Sequence, residues 1–208
     1  MNRELAKALL EIKAIKLTNT DALFTWVSGI KSPIYCDNRL TISYPKVRDL
    51  IATEIAKKID SEYPDIDIIA ATATAGIPHG AWIAQKLNKP MVYVRGEKKK
   101  HGRKNQIEGY YEEGKTVVLI EDLISTGKSS LEAVEALDEA GLKTEKVYGI
   151  FNYNFESMHK KFEEKNMKFE TLIDYKEIIK VAIEENYISK EEELLLLKWS
   201  KNPRIFTK

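Results

Sequence analysis

One cysteine in 208 residues, Cys36, leaves this chain without an internal disulfide. A fold stapled by cross-links is therefore excluded, and the thiol suits a reducing compartment such as the cytoplasm. Long apolar runs are also missing, and no stretch approaches the ~20 residues needed to span a bilayer. The first residues, MNRELAKALLEIKAI, alternate charged and apolar side chains at helical spacing, without the continuous apolar stretch of an export signal. Charge of one sign is absent too: 33 basic and 32 acidic residues nearly cancel, which argues against a nucleic-acid partner. Three scattered histidines and one cysteine offer no zinc spacing. There is no internal repeat or low-complexity linker.

What is present is an alternation of strand and helix patterns. Asn2 to Ile15 reads as an amphipathic helix with Leu5, Leu9 and Ile12 on one face. Phe24 to Tyr35 reads as a short hairpin or extended segment. Pro45 opens a helix through Ile59. Strands are expected at Ile66–Ala70, Pro90–Val94, Val117–Ile120 and Val147–Phe151, and helices at Ile77–Leu87 and Ser129–Ala140, the latter closed by Gly141. Near the C-terminus, Ile178–Glu185 and Glu191–Lys201 read as helices, the second behind a Ser189/Glu192 capping box. The expected architecture is α/β: a central, mostly parallel sheet with right-handed crossovers, flanked by helices. His79 and His159 read as surface or helix-end residues.

The most informative stretch is VVLIEDLISTGKSS, Val117 to Ser130. A buried strand is followed by two carboxylates, Glu121 and Asp122, then a hydroxyl-rich turn, then a helix. This layout makes an anion site at a strand's carboxyl end, where turn and helix N–H groups converge. A nucleotide phosphate loop ending Gly-Lys-Ser needs a glycine at position 122, where Asp122 stands, so that reading is rejected. Carboxylates accept hydrogen bonds from vicinal diols, and the turn beyond them suits a phosphate ester. Together they describe a site for a ribose 5-phosphate.

Val117 to Ser130 resembles the phosphoribosyl pyrophosphate (PRPP) signature of type I phosphoribosyltransferases, and EDLISTGKSS is most similar to that of the orotate phosphoribosyltransferases of pyrimidine biosynthesis. FTWVSGIKSPIYCDNR (Phe24–Arg39), ATATAGIPHG (Ala71–Gly80) and YVRGEKKKHGRKNQIEG (Tyr93–Gly109) carry the narrower resemblance, in the family's order. The resemblance implies a single phosphoribosyltransferase domain over residues 1–208, with a small N-terminal hood mainly from residues 1–40, a core over about 45–155, C-terminal helices within 176–201, and a flexible catalytic loop.

It further implies contacts with PRPP from Glu121, Asp122, Leu123, Ile124, Ser125, Thr126, Gly127, Lys128 and Ser129. The acidic pair takes the ribose hydroxyls and the turn takes the 5-phosphate. Thr74 and the backbone of Thr72–Gly76 meet the pyrophosphate; read alone, this segment is an ordinary small-residue turn. Ser125 and Tyr35 lie near orotate, although Tyr35 read alone is plain core. The basic run Arg95 to Lys104 reads on composition equally as a solvated loop or as a lid on a polyanion. The resemblance makes it a lid, with Arg95, Lys99 and His101 as catalytic contacts to the phosphates, closing over a neighbouring subunit's site in a homodimer. Mg²⁺ is the implied cofactor, held through substrate and water rather than by protein ligands. Relatives that carry lysine at the positions of Val27 and Ala75, or directly after the loop arginine where Gly96 stands, differ from this chain there. An arginine that some carry after the Val147–Phe151 strand is replaced by Asn152-Tyr153-Asn154-Phe155. Alternative readings are transfer to a purine or another base, and a regulator that senses the sugar diphosphate.

Overall fold

The computed structural model describes residues 2–19, 22–26, 29–96 and 106–206. Helix α1 (Arg3–Glu11) begins at Asn2, whose side chain accepts from the Leu5 N–H, and buries Leu5 and Leu9. It ends before Ile15, which belongs instead to strand β1 (Ile15–Leu17). The 3.6-residue pattern continues into that strand because Ala14 and Ile15 are core residues too. A hairpin of β2 (Phe24–Thr25) and β3 (Lys31–Ser32) follows, and β4 (Ile34–Cys36) returns antiparallel to β1. A 3₁₀ helix (Asn38–Ser43) leads into α2 (Pro45–Glu62), with Pro45 in its first turn, where a missing N–H costs nothing.

The central sheet is built from β5 (Ile68–Thr72), β6 (Met91–Val94), β7 (Ile107–Glu108), β8 (Thr116–Ile124), β9 (Lys143–Asn152) and β10 (Phe169–Asp174). Between them run α3 (Gly76–Leu87), α4 (Lys128–Glu139) and α5 (Glu156–Glu164), and the chain closes with α6 (Tyr175–Glu184) and α7 (Lys190–Lys201). The strand order is β10-β9-β8-β5-β6-β7; all neighbours are parallel except β6 and β7. Every residue of β5 is buried, as are Val117 to Glu121 in β8, which is what a parallel sheet covered on both faces requires.

Three features depart from the sequence reading. Strand β8 does not stop at Ile120 but runs on through the acidic pair to Ile124, because β9 pairs with it as far as Asn152. Strands β7 and β10 have no counterpart among the expected strands; β7 is two residues long, and β10 is an edge strand whose first three residues are only half-buried. His79 is fully buried rather than at the surface. Its ring packs edge-on against Trp82, and Nε2 lies 3.3 Å from the Thr41 hydroxyl. The Ser189/Glu192 capping box on α7 is formed as expected. So is the left-handed Gly141 after α4, with φ +80°.

The topology fixes one location. From β5 the chain moves outward to β6 and β7, then crosses back to β8 on the other side of β5 and moves outward again through β9 and β10. The carboxyl ends of β5 and β8 therefore flank the switch point, where connecting loops diverge and leave a crevice.

Candidate functional site

Two loops border that crevice. One follows β5: Ala73, Thr74 and Ala75, with a cis peptide between Ala73 and Thr74, before α3 begins at Gly76. The other follows β8: Ser125, Thr126 and Gly127, before α4 begins at Lys128. Both helices start at the crevice, so both direct unpaired N–H groups and positive dipole ends toward it. Thr74, Thr126, Lys128 and Ser129 are exposed, Ser125 and Leu123 half-buried, and Ile124 buried. Gly127 has φ +75°, and an added Cβ would lie 2.7 Å from Phe162 Cε2, so α5 packs directly beneath this loop. Lys161 of α5 reaches up to donate to the Thr126 carbonyl, at 3.3 Å.

The two carboxylates behave differently. Glu121 points inward, between the loops. Its Oε1 accepts from the Thr72 hydroxyl at 2.6 Å and the Asp122 N–H at 3.1 Å, and its Oε2 accepts from the Ser129 and Ser130 hydroxyls, each at 3.2 Å. Burial pushes the Glu121 carboxyl up to about 7, with the Asp122 charge adding to the effect. Asp122 is half-buried, and burial raises its carboxyl as well, while a side-chain hydrogen bond with Glu121 and, more weakly, the Arg39 guanidinium draw it back. Its carbonyl accepts from Asn38 Nδ2 at 2.6 Å, which ties the N-terminal segment to β8 at this point. Arg39 is held in a two-pronged ion pair with Asp37, at 2.6 and 2.8 Å.

Beside the crevice, a cavity of about 320 Å³ is lined by Thr25, Trp26, Tyr35, Cys36, Leu123, Ser125 and Tyr153. Its aromatic walls and few polar groups suit a flat ring. Tyr35 is 36% exposed, so it lines this opening instead of the core. Trp26 packs at a tilt against Tyr153 with centroids 4.8 Å apart, and Trp199 of α7 backs both. Trp199 Nε1 donates to the Lys31 carbonyl at 3.0 Å, and Lys31 Nζ donates to Thr25 Oγ1 at 2.7 Å. Burial pushes the Cys36 thiol up, leaving it an unreactive wall. A larger cavity of about 590 Å³ lies among α1, α2, β10 and α6, lined by Arg3, Lys58 and Glu170 among others. Its cations are already paired, Arg3 with Glu184 outside the lining and Lys58 with Glu170 within it.

Of the loop expected to act as a lid, only the roots lie among the described residues; Lys99 and His101 lie outside them, as do Lys98, Lys100, Arg103 and Lys104. The roots meet across β6 and β7. The Arg95 N–H donates to the Gln106 carbonyl at 2.9 Å, and Gln106 Nε2 returns a bond to the Arg95 carbonyl at 2.6 Å. The Arg95 guanidinium lies 3.5 Å from Glu108. The Ala73 N–H donates to the Val94 carbonyl at 2.8 Å, so these roots sit beside the β5 loop at the crevice.

The profile of the phosphoribosyl transferase domain matches residues 44–186. An orotate phosphoribosyltransferase of Listeria innocua is 51% identical over 208 residues, covering 100% of this chain and 99% of that one. The chain belongs to the orotate phosphoribosyltransferase family. A second member, from Fusobacterium nucleatum, is 53% identical over 97% of this chain and 96% of its own. Among solved structures, Leishmania donovani UMP synthase superposes with a TM-score of 0.80 at 32% identity, over 95% of this chain and 42% of that longer one. The Aeropyrum pernix orotate phosphoribosyltransferase, at 24% identity and a TM-score of 0.75 over 89% of this chain and 99% of its own, shares the fold.

Within this family frame, residues read from sequence as one constellation come from separate elements: Thr74, Asp122 and Ser125 to Ser129 lie at the carboxyl ends of β5 and β8, and Tyr35 and Ser125 line the slot beside them. The Thr72 side chain, Ser130 and Asn38 join them, though the sequence pointed only to the Thr72 backbone and to neither of the others as a contact. Small hydroxyl and amide residues carry no sequence signal until a partner is brought within reach, and each partner here is 49, 9 or 84 residues away. Among the described residues no group of three His, Cys, Asp or Glu side chains gathers as a metal cage. The oxygen donors facing the crevice, the Asp122 carboxylate and the loop hydroxyls, are of the hard type that Mg²⁺ prefers.

Proposed function

We propose that the chain transfers ribose 5-phosphate from PRPP to orotate, releasing diphosphate and forming orotidine 5′-phosphate. The observation that carries the reading is the pair of helix-opening loops at the β5/β8 switch point, beside an aromatic slot, in a chain of this family. The Ser125–Ser129 turn cradles the 5-phosphate through N–H groups and hydroxyls. Asp122 accepts from the ribose hydroxyls, with Glu121 behind it, and Leu123 and Ile124 shape the strand end beneath the sugar. The Ala73–Ala75 backbone and Thr74 meet the diphosphate. Tyr35 and Ser125 flank orotate in the slot.

Orotate N1 attacks C1 of the sugar from the face opposite the leaving group, inverting that centre. Positive charge grows on the ribose ring and negative charge on the departing diphosphate. The reaction proceeds without a covalent enzyme intermediate, so positioning and charge stabilisation supply the rate. Arg95, Lys99 and His101 bring cationic charge to the leaving diphosphate as the loop closes, and closure keeps water from the reactive sugar. Mg²⁺ would be held mainly through substrate and water oxygens, with Asp122 and the loop hydroxyls nearby, and would supply neutralising charge to the diphosphate. The working form is a homodimer in which the loop of one subunit covers the site of the other, in the cytoplasm. No helix among the described residues is long and apolar enough to cross a membrane.

The test is the fall in orotate absorbance when purified protein meets orotate, PRPP and Mg²⁺. Loss of signal that requires all three is expected. Tight PRPP binding without any loss would overturn orotate transfer and direct a screen toward other bases or a sensor. Mixed dimers of Lys99→Ala and Asp122→Asn subunits should regain activity that neither parent has; no recovery would overturn the shared site.

A further inference from the structure

We propose that Asn38 is a positioning residue: its side chain holds the base slot in register with the sugar-phosphate site, so that a base in the slot meets C1 of the sugar. The inference rests on the proposed orotate transfer and deepens it. The slot and the sugar site belong to separate pieces of the fold. Thr25, Tyr35 and Cys36 wall the slot from β2 and β4, which lie in two small sheets of their own. Asp122 and the Ser125–Ser129 turn belong to the end of β8 and the start of α4. Among the described residues no strand pairing joins the small sheets to the central one. Bond formation needs the attacking nitrogen ~3–3.5 Å from C1, so a slip between the two pieces costs rate even when each still binds its own half of the ligand.

Asn38 bridges that gap. It is 1% exposed, and its amide is used at both ends. Nδ2 donates to the Asp122 carbonyl at 2.6 Å, and Oδ1 accepts from the Cys36 thiol at 3.4 Å. Strand β5 pairs with β8 only as far as Ile120; beyond that point the Asp122 carbonyl is met by this side chain. Cys36 lines the slot, so one planar amide sets its distance from the strand end beneath the sugar. The bond uses the Asp122 backbone and does not compete for its carboxylate. A second row of bonds fixes Asn38 itself. Thr41 Oγ1 donates to the Asn38 carbonyl at 2.6 Å. That takes the hydroxyl's one proton, so His79 Nε2, 3.3 Å away, is the donor to Thr41. His79 lies in the first turn of α3, the helix that follows the loop facing the diphosphate. The network therefore runs from the slot wall, past the end of β8, to the helix behind that loop. Each of these groups is buried, and leaving one without its partner is costly, which makes the arrangement specific.

The discriminating probes are ribose 5-phosphate, which fills the sugar site alone, and orotidine 5′-phosphate, which spans both sites. Calorimetry on the full chain should show Asn38→Ala weakening orotidine 5′-phosphate about tenfold and ribose 5-phosphate by less than about twofold. In steady-state turnover the same variant should lose at least about tenfold in kcat, with the KM for orotate and for PRPP each within about threefold of the unaltered protein. Thr41→Val keeps the shape yet removes the bond to the Asn38 carbonyl. It should lose about threefold in kcat with the same split, which decides the matter if Asn38→Ala fails to fold. A lowered melting temperature with unchanged kcat would make Asn38 structural only. A rise in the KM for orotate at unchanged kcat would make it part of the slot wall, and an equal loss of both probes would assign it to the sugar site. Each of these results, or an unchanged kcat in Thr41→Val, would overturn the role in register while leaving orotate transfer intact. Failure of the unaltered protein to bind orotidine 5′-phosphate would instead overturn the proposed function and the role of Asn38 with it.

Discussion

Replacing Gly127 with alanine should destabilise the protein through two separable effects. The first is backbone strain. At φ +75° an L-residue sits in the left-handed region, at a cost of ~1–2 kcal/mol. The second is a collision. The new methyl would lie 2.7 Å from Phe162 Cε2 and 3.2 Å from Cδ2. The ring has nowhere to go: Phe162 is 1% exposed and packs on Phe169 with centroids 4.6 Å apart. Overpacking of this kind costs ~1–3 kcal/mol. The sum, ~2–5 kcal/mol, is a large part of the ~5–15 kcal/mol that holds a domain folded. A double-mutant cycle with Phe162→Leu separates the terms. Phe162→Leu alone leaves a small void and should cost on the order of 1–2 kcal/mol. In the double variant the collision vanishes and only the backbone strain remains, so the two losses should be less than additive by ~1–3 kcal/mol. Urea denaturation of the four proteins reads the cycle directly. The KM for PRPP should rise in Gly127→Ala and fall part of the way back in the double variant, because the strained turn is the proposed phosphate loop. Losses that add to within ~0.5 kcal/mol would refute the collision.

Other expectations follow from the same geometry. His79 is buried, and burial holds its imidazole down at about 4 against an ordinary 6.5, so it stays neutral in the fold. The unfolded chain takes up that proton first, so stability is full above pH 6.5 and falls as pH drops toward 4, by up to ~3 kcal/mol. The slope of stability against pH in that window should flatten in His79→Gln, and an unchanged slope would exclude His79 as its source. Trp199→Phe keeps a ring but loses the bond to the Lys31 carbonyl, which should cost ~1–3 kcal/mol. It should also raise the KM for orotate more than that for PRPP, since β3 pairs with the strand that carries Thr25 and leads into Trp26; an equal rise would break the link to the slot. Lys99→Ala should lower kcat more than it weakens PRPP binding, because the loop acts on charge that develops in the transition state. A variant with normal kcat would remove Lys99 from the chemistry.

Much of this protein was legible in the sequence because its signals are local. Alternating strand and helix patterns, Pro45 inside a helix start, the Ser189/Glu192 capping box and the left-handed Gly141 each depend on a few adjacent residues. The acidic pair and hydroxyl turn after a buried strand mark a candidate anion site by adjacent residues alone. Tertiary structure decided what depends on distant partners. Strand β8 extends past Ile120 because β9 pairs with it to Asn152. The Asn2–Ile15 pattern splits into helix and strand because Ile15 pairs with Cys36. His79, beside a proline at a helix start, reads as exposed until Thr41 and Trp82 close over it. Above all, sequence marked Glu121 and Asp122 as equals, side by side. Only the fold brings the Thr72, Ser129 and Ser130 hydroxyls to the first and the Asn38 amide to the backbone of the second, because these partners lie 8 to 84 residues away.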